Sequence, residues 1–296
     1  MASTSYGWTL AEWGTWRAGG VVVPIYETSP RERIEALVER VGARFVFVDE
    51  AASARIPSPW PGAQVVPLPA GRELATSFGV TPTREEIAEL DAIEVGRDDV
   101  ATIVSTSGTN AEPQATVLVH RNFVDLVLNV QAAWRTVLNE GGRTVIILPL
   151  SHVLARGLQT ICLWAGMRVT YLSNPRELVA SLPALAPTFL VVVPRVLEKV
   201  TEAVRSRAAS RGLGRVWEHA EETAVQWGRL CEEADRRGTT PEKLASWRLR
   251  VGHRVFDRLF YRKVAALLGG SMEFMLSGRR PSTSGSLCCS GAWACR

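Results

Sequence analysis

Lysine is nearly missing from this sequence. Only Lys199, Lys243 and Lys263 occur among 34 basic side chains, and arginine supplies the rest. The formal net charge is +4, but the basic residues read as scattered and mixed with Asp and Glu. That pattern suits a solvated surface and excludes the clustered stripe of a nucleic-acid binder. Histidine is scarce too, at four residues; His219 and His253 lie in charge-rich helical stretches and read as surface residues without a metal-ligand partner. Five cysteines in 296 residues exclude a disulfide scaffold. Cys162 and Cys231 read as lone core or helix residues. No G-x-S-x-G occurs, which excludes the nucleophile elbow of a serine hydrolase. No uninterrupted apolar run is long enough to span a bilayer. The first residues, Met1-Ala2-Ser3-Thr4-Ser5-Tyr6-Gly7-Trp8, have neither the basic nor the apolar region of a secretory signal, so a cytoplasmic location is expected. A hydrophobic fraction of 46% with 22% charged residues fits a globular chain of one large or two smaller domains.

What is present is an alternation of helical periodicity and short β-branched runs. Thr9-Leu10-Ala11-Glu12 has the capping-box pattern and is expected to open a helix that Gly19-Gly20 closes. Val21-Val22-Val23-Pro24-Ile25 reads as a short strand. Ser29-Pro30-Arg31-Glu32 reads as a second capping box with proline at the first helical position. Its helix puts Ile34, Leu37, Val38 and Val41 on one face, and Gly42 ends it. Phe45-Val46-Phe47-Val48 is the next strand, and this β–α–β order with short links predicts a parallel sheet. Residues 83–90 read as a helix, and 122–133 as another with Phe123, Leu126, Val127 and Val130 inward. Residues 144–148 have the continuous apolar character of a central parallel strand. Strands are expected at 169–172 and 188–193, a short helix from Asn174-Pro175, and a long helix from Pro194. From about 203 to 268 the pattern is almost wholly helical and charge-rich. Trp217, Trp227 and Trp247 are expected to anchor those helices to the body. The fold class is α/β, with parallel-rich sheets flanked by helices and a helical insertion.

Two stretches carry candidate chemistry. Ala101-Thr102-Ile103-Val104 reads as a buried strand running into Ser105-Thr106-Ser107-Gly108-Thr109-Asn110-Ala111-Glu112-Pro113-Gln114, and a second strand-like run follows from Ala115. Small hydroxyl residues and a glycine let a backbone approach a phosphate and donate to its oxygens, although an ordinary turn can have the same composition. Leu148-Pro149-Leu150-Ser151-His152 puts a histidine just beyond a predicted parallel strand, where open α/β sheets bind ligands. The plainer alternative is a histidine that caps a helix or bonds a backbone carbonyl.

Thr106-Ser107-Gly108-Thr109, then Pro113, then Val119-His120-Arg121-Asn122 resemble the T-S-G-T-T-G-x-P-K-G loop and the T-H-x-N that follows it in the AMP-forming acyl-CoA synthetases. Val23-Pro24-Ile25-Tyr26, the L-P-L-x-H around His152, and Pro194-Arg195-Val196-Leu197-Glu198-Lys199 resemble the long-chain fatty-acid–CoA ligase branch. The resemblance covers about residues 8–278. It implies that 1–278 are part of the AMP-binding large domain of the adenylate-forming fold, with the helical insertion at about 203–268. It also implies an activity: ATP and Mg²⁺ convert a fatty acid to an acyl-adenylate with release of pyrophosphate, and the thiol of CoA then displaces AMP. On this resemblance Thr106, Ser107, Gly108 and Thr109 hold ATP phosphates and His152 borders the acyl pocket; no catalytic residue or metal ligand is assigned. The implied partners are a fatty acid and a nucleotide, with no nucleic acid, and peripheral attachment to a membrane is compatible.

The sequence also departs from the family pattern. Asn110 stands for a threonine, Ala111 and Ala115 for glycines, and Gln114 for the loop lysine, whose charge glutamine cannot carry. Beyond residue 278 the family continues as S-G-G-A-P, whereas residues 279–296 contain no acidic residue and three of the five cysteines. Cys288, Cys289 and Cys295 lack zinc-ligand spacing. We read 279–296 as a frameshifted, disordered tail and the chain as a ligase fragment truncated at both ends and inactive. Two alternatives stay open: a non-catalytic remnant, and an adenylating enzyme acting on aryl or amino acids.

Overall fold

A computed structural model describes residues 1–56, 60–68, 82–105 and 115–277. The hydroxyl-rich loop and the tail at 279–296 lie outside the described residues. The chain forms two compact units. One comprises Met1–Arg135, Ile147–Ala165 and Tyr171–Ser173; the other comprises Thr136–Ile146, Gly166–Thr170 and Asn174–Arg296.

The first unit opens with helix α1 (Tyr6–Arg17), whose N-cap is Ser5, its hydroxyl accepting from the Trp8 amide at 3.3 Å. The expected capping box at Thr9 does not form. Thr9 and Glu12 are buried, and Glu12 serves an ion pair described below. Val21–Ile25 is not a full strand either: Val22 makes a single parallel bridge to Thr102. Helix α2 (Arg31–Val41) starts from Pro30 with no side-chain cap, so the second expected box is also absent. Its Ile34 and Val38 are buried as the spacing predicts, and Gly42 closes it in the left-handed region. Strand β1 (Phe45–Val48) pairs in parallel with β2 (Gln64–Pro67), in register from Phe45↔Gln64 to Val48↔Pro67. Val46 and Val48 meet Ile34, Val38, Ala52 and Trp60 in one core cluster.

Asp49 ties this layer together. It caps the short helix α3 (Glu50–Ser53) by accepting from the Ala52 amide at 2.8 Å, and it accepts from the Ser3 amide and hydroxyl at 2.8 and 2.6 Å. Burial pushes its carboxyl up, but these donors outweigh burial and hold it below its ordinary value. A depressed carboxylate adds stability that is present above its unfolded value and lost as pH falls through the folded one. Asp49→Ala is therefore expected to lose about 1 kcal/mol near neutral pH. In urea unfolding the gap to the parent should close below pH 4 (the ordinary value is 3.8). A gap unchanged at low pH would contradict the assignment.

Helix α4 (Arg84–Asp91) lies where the sequence predicts a helix, and it carries a complete capping box between Thr83 and Glu86 that the sequence reading did not single out. Strands β3 (Val100–Ser105) and β4 (Ala115–Val119) form an antiparallel hairpin. Helix α5 (His120–Ala133) follows directly and buries Phe123 and Val127, while Leu126 stays exposed. Helix α6 (Val153–Trp164) completes the unit.

The second unit is built on a four-stranded sheet of order β6-β5-β7-β8, made from β5 (Arg143–Ile146), β6 (Arg168–Tyr171), β7 (Phe189–Val192) and β8 (Phe274–Ser277). β5 and β8 both pair in parallel with β7, all of whose residues are buried. Asn174-Pro175 does not start the next helix, α7, which runs Leu178–Leu185.

Helices α8 (Pro194–Ala209), α9 (Gly214–Arg236), α10 (Pro241–Leu244), α11 (Trp247–Phe256) and α12 (Arg262–Leu267) make up the helical stretch, with a π-helical turn at Asp257–Tyr261. The tryptophans do not behave alike. Trp217 is buried among Ala208, Ala220, Ala224, Phe260 and Val264, inside the helical stretch itself. Trp227 packs with Cys231 and Ala245. Trp247 is 65% exposed, which overturns its reading as an anchor. His253 is half-buried and stacks on Trp227 at 4.2 Å, so the surface reading is overturned as well. At the end of the stretch Gly269 has φ 96°, and a Cβ there would lie 2.6 Å from the Leu182 carbonyl oxygen. Only glycine fits that approach.

Candidate functional site

The site is rooted in the β3–β4 hairpin. Its register runs from Val100↔Val119, through an irregularity before Thr102, to Ser105↔Ala115, the pair that flanks segment 106–114. Ala101 and Thr102 at its root are fully buried, and the Thr102 hydroxyl donates to the Val22 carbonyl at 2.8 Å. The candidate phosphate ligands Thr106, Ser107, Gly108 and Thr109 lie outside the described residues. Beyond β4, the Asn122 side chain accepts from the Val119 amide at 2.9 Å and fixes the start of α5. His120 sets its ring edge-on to Trp16 at 5.6 Å. Burial pushes His120 below its ordinary value, against the pull of Asp99.

His152 is the N-cap residue of α6 and is exposed. It makes no side-chain cap; its Nδ1 lies 2.7 Å from the Tyr26 hydroxyl, with the rings edge-on at 4.8 Å. Burial pushes the Tyr26 phenol up, against the effect of Arg33, so it keeps its proton near neutral pH. When that proton is donated to Nδ1, the ring proton of His152 sits on Nε2. The sequence singled out His152 but missed Tyr26, although the Val23-Pro24-Ile25-Tyr26 motif contains it.

Sequence reasoning also missed the group that holds these pieces together. Arg156, one turn into α6, is fully buried and pairs through Nε with Glu12. Its Nη2 donates to the Thr102 hydroxyl at 2.6 Å. Gln159 donates to the other Glu12 oxygen at 2.9 Å and accepts from the Thr9 hydroxyl at 2.8 Å. The guanidinium also lies within 6 Å of the rings of Trp8, Trp16 and Phe123, at 5.9, 5.6 and 5.5 Å. Burial pushes the Glu12 carboxyl up and the Arg156 guanidinium down, and each partner opposes the shift of the other. One arginine thus links α1, the loop-bearing strand β3 and the helix that starts at His152. A lone arginine inside the apolar run Val153-Leu154-Ala155-Arg156-Gly157-Leu158 was the available signal, because a buried charge needs a partner.

A cavity of about 820 Å³ lies in the same unit, lined by apolar residues that include Trp8, Val22, Ile25, Val38, Phe47 and Ile103. Neither Tyr26 nor His152 lines it, and we assign it no ligand. Among the described residues no three His, Cys, Asp or Glu side chains converge as metal ligands. Cys162 is buried, as the sequence reading of a core residue expected, and burial pushes its thiol up to about 12.

Comparison with known proteins puts this geometry in context. The family model described as AMP-binding enzyme matches residues 1–281. The long-chain-fatty-acid–CoA ligase FadD15 of Mycobacterium bovis is 34% identical over 293 residues, covering 95% of this chain and 47% of that protein. Human long-chain-fatty-acid–CoA ligase 1 is 29% identical over 300 residues, covering 93% of this chain and 40% of that protein. The chain therefore spans less than half the length of these relatives. Among solved structures, the long-chain-fatty-acid–CoA ligase FadD1 from Archaeoglobus fulgidus shares the fold with a TM-score of 0.54 and 20% identity, over 69% of this chain and 41% of that one. A family match over residues 1–281 leaves one conclusion: this chain belongs to the AMP-binding enzymes.

Proposed function

We propose that the chain is a portion of an AMP-forming long-chain fatty-acid–CoA ligase. The observation that carries this reading is the 34% identity to FadD15 over 95% of the chain. The hairpin adds support, because Ser105 and Ala115, which flank the segment containing Thr106, Ser107, Gly108 and Thr109, are paired. Three hydroxyls and their backbone amides suit the oxygens of a nucleotide phosphate, and they contribute by holding it in place for attack by a carboxylate. In this reading His152, whose Nδ1 is hydrogen-bonded to the Tyr26 hydroxyl, borders the fatty acid. ATP supplies the adenylyl group and CoA the accepting thiol. Mg²⁺ belongs to the proposal too, but the described residues form no cluster that fits it, so no step is assigned to it. We retain 1–278 as part of the catalytic large domain, 203–268 as its helical insertion and 279–296 as a frameshifted tail. No described helix is long and apolar enough to cross a membrane; a cytoplasmic location with peripheral membrane contact is part of the same proposal.

One observation favours a second reading. Gln114, Ala111 and Ala115 replace the lysine and glycines of the loop pattern, which suits a chain that has lost catalysis. Radioactive pyrophosphate exchange on the purified chain separates the readings, with palmitate, an aryl acid and an amino acid supplied in turn. Exchange with palmitate alone, abolished by Thr106→Ala or Thr109→Ala, is the expected result for a ligase. Exchange with the aryl or amino acid would move the substrate class, and no exchange with any acid would favour the remnant.

A further inference from the structure

Residues 247–262 read W-R-L-R, V-G-H-R, V-F-D-R, L-F-Y-R: an apolar residue followed three positions later by arginine, four times in succession. On the helix formed by α11 and the π-turn this makes two neighbouring rows. One row is Trp247, Val251, Val255 and Leu259, exposed at 65, 51, 47 and 46%. The other is Arg250, Arg254, Arg258 and Arg262, all exposed. An α-helix carries an i,i+4 row around its axis by about 40° per step. The wider π-turn turns the row back, so Leu259 and Arg262 stay with their rows. The inward side of the same helix is already occupied: Phe256 and Phe260 pack in the Trp217 cluster and His253 stacks on Trp227. The two rows are therefore the free side. Among the described residues only Arg262 of the arginine row is ion-paired, to Asp257 at 3.1 Å.

We infer that this face is a docking surface for an anionic lipid bilayer. Charge complementarity selects the occupant. Arg250, Arg254 and Arg258 carry no carboxylate partner among the described residues, and Arg248 adds a further charge over the Trp247 ring. A nucleic acid would satisfy the arginines but leave a tryptophan, two valines and a leucine wet. A bilayer surface satisfies both rows. Tryptophan and the aliphatic side chains enter the boundary between headgroups and acyl chains, while the arginine stems lie along it and their heads reach lipid phosphates. The face is built into the helical stretch and does not depend on the reaction assigned above. The row stands apart from the basic residues elsewhere, which the sequence reading took as scattered and mostly mixed with Asp and Glu.

Sedimentation of the purified full chain with vesicles tests the inference. The chain should bind vesicles of equal parts phosphatidylcholine and phosphatidylglycerol, and bind pure phosphatidylcholine poorly. Added salt should weaken the binding. Each basic residue near an anionic surface is worth roughly a fivefold change in partitioning, so Arg250→Gln with Arg254→Gln and Arg258→Gln should lose about 100-fold. Trp247→Ser with Val251→Ser should also release the chain. Arg236→Gln with Arg237→Gln, which removes charges already paired to Glu233, is the control and should bind as the parent does. All these positions are exposed, and circular dichroism checks that each variant is folded. Equal binding to both vesicle types, or binding unchanged by the arginine triple variant, would overturn the inference. So would a dimer dispersed by the Trp247 and Val251 changes without vesicle binding, since the face would then meet a second copy.

Discussion

Replacing Arg156 by methionine should remove about 3–5 kcal/mol of stability, because it leaves Glu12 as an uncompensated charge in the core. The guanidinium is fully buried and bonds both Glu12 and the Thr102 hydroxyl. The methionine keeps most of the volume among Trp8, Trp16 and Phe123, so little of the loss is cavity formation. For a chain of this size the melting temperature should fall by roughly 10 °C. Urea unfolding followed by circular dichroism measures the loss, and a change below about 1 kcal/mol would show that the pair is not holding α1, β3 and α6 together. The partner experiment separates charge from packing. Glu12→Leu with Arg156→Met removes both charges and should recover most of the stability, since a buried ion pair is often no better than well-packed apolar groups.

The second large effect is expected at the loop. Gln114 cannot offer the charge that the family's lysine brings to a triphosphate. Gln114→Lys should tighten ATP by roughly 10–100-fold, the range of a charge-assisted hydrogen bond worth about 1.5–3 kcal/mol. Ala111→Gly should help further by letting the backbone approach the phosphates. Ala115 is different: it is the first residue of β4 and pairs with Ser105. Glycine there loosens the ladder that closes the loop, so Ala115→Gly should add little and cost some stability. Titration calorimetry of the single variants and the triple variant decides this. Tight ATP binding by the unaltered chain would contradict the expectation, as would a Gln114→Lys variant no tighter than the parent.

The sequence was readable wherever a local pattern and its structural use coincide. Gly42 closes α2, the helix read at 83–90 is α4 within a residue at each end, and the apolar run at 144–148 begins as the buried strand β5. Thr106, Ser107, Gly108 and Thr109 stood out because they are adjacent in the chain, and they lie outside the described residues. Reading failed where the partner is distant in the chain. Thr9 and Glu12 have the spacing of a capping box, but Glu12 is consumed by Arg156 and Gln159, and no local pattern reveals such a pairing. Tyr26 and His152 meet for the same reason only in three dimensions. Arg250, Arg254, Arg258 and Arg262 repeat plainly in the sequence, but their meaning depends on which side of the helix Trp217 and Trp227 occupy. Composition alone cannot supply that.

The pairing of β8 with β7 has a kinetic consequence. Phe189 meets Phe274 in parallel register, with every helix from α8 to α12 in between. Closing so long a loop as disordered chain is slow, because the entropy is lost before any ladder bond is gained. The intervening helices have apolar contacts of their own, around Trp217 and around Trp227, and can collapse without the sheet. Once they have done so, the ends of β7 and β8 are brought close for little further loss. Until β8 arrives, β7 presents the run Phe189-Leu190-Val191-Val192 with one unpaired edge, a template for strands of other chains. Yield on refolding should therefore fall steeply with protein concentration, and substitutions that loosen the Trp217 cluster should steepen that fall before they change the melting temperature.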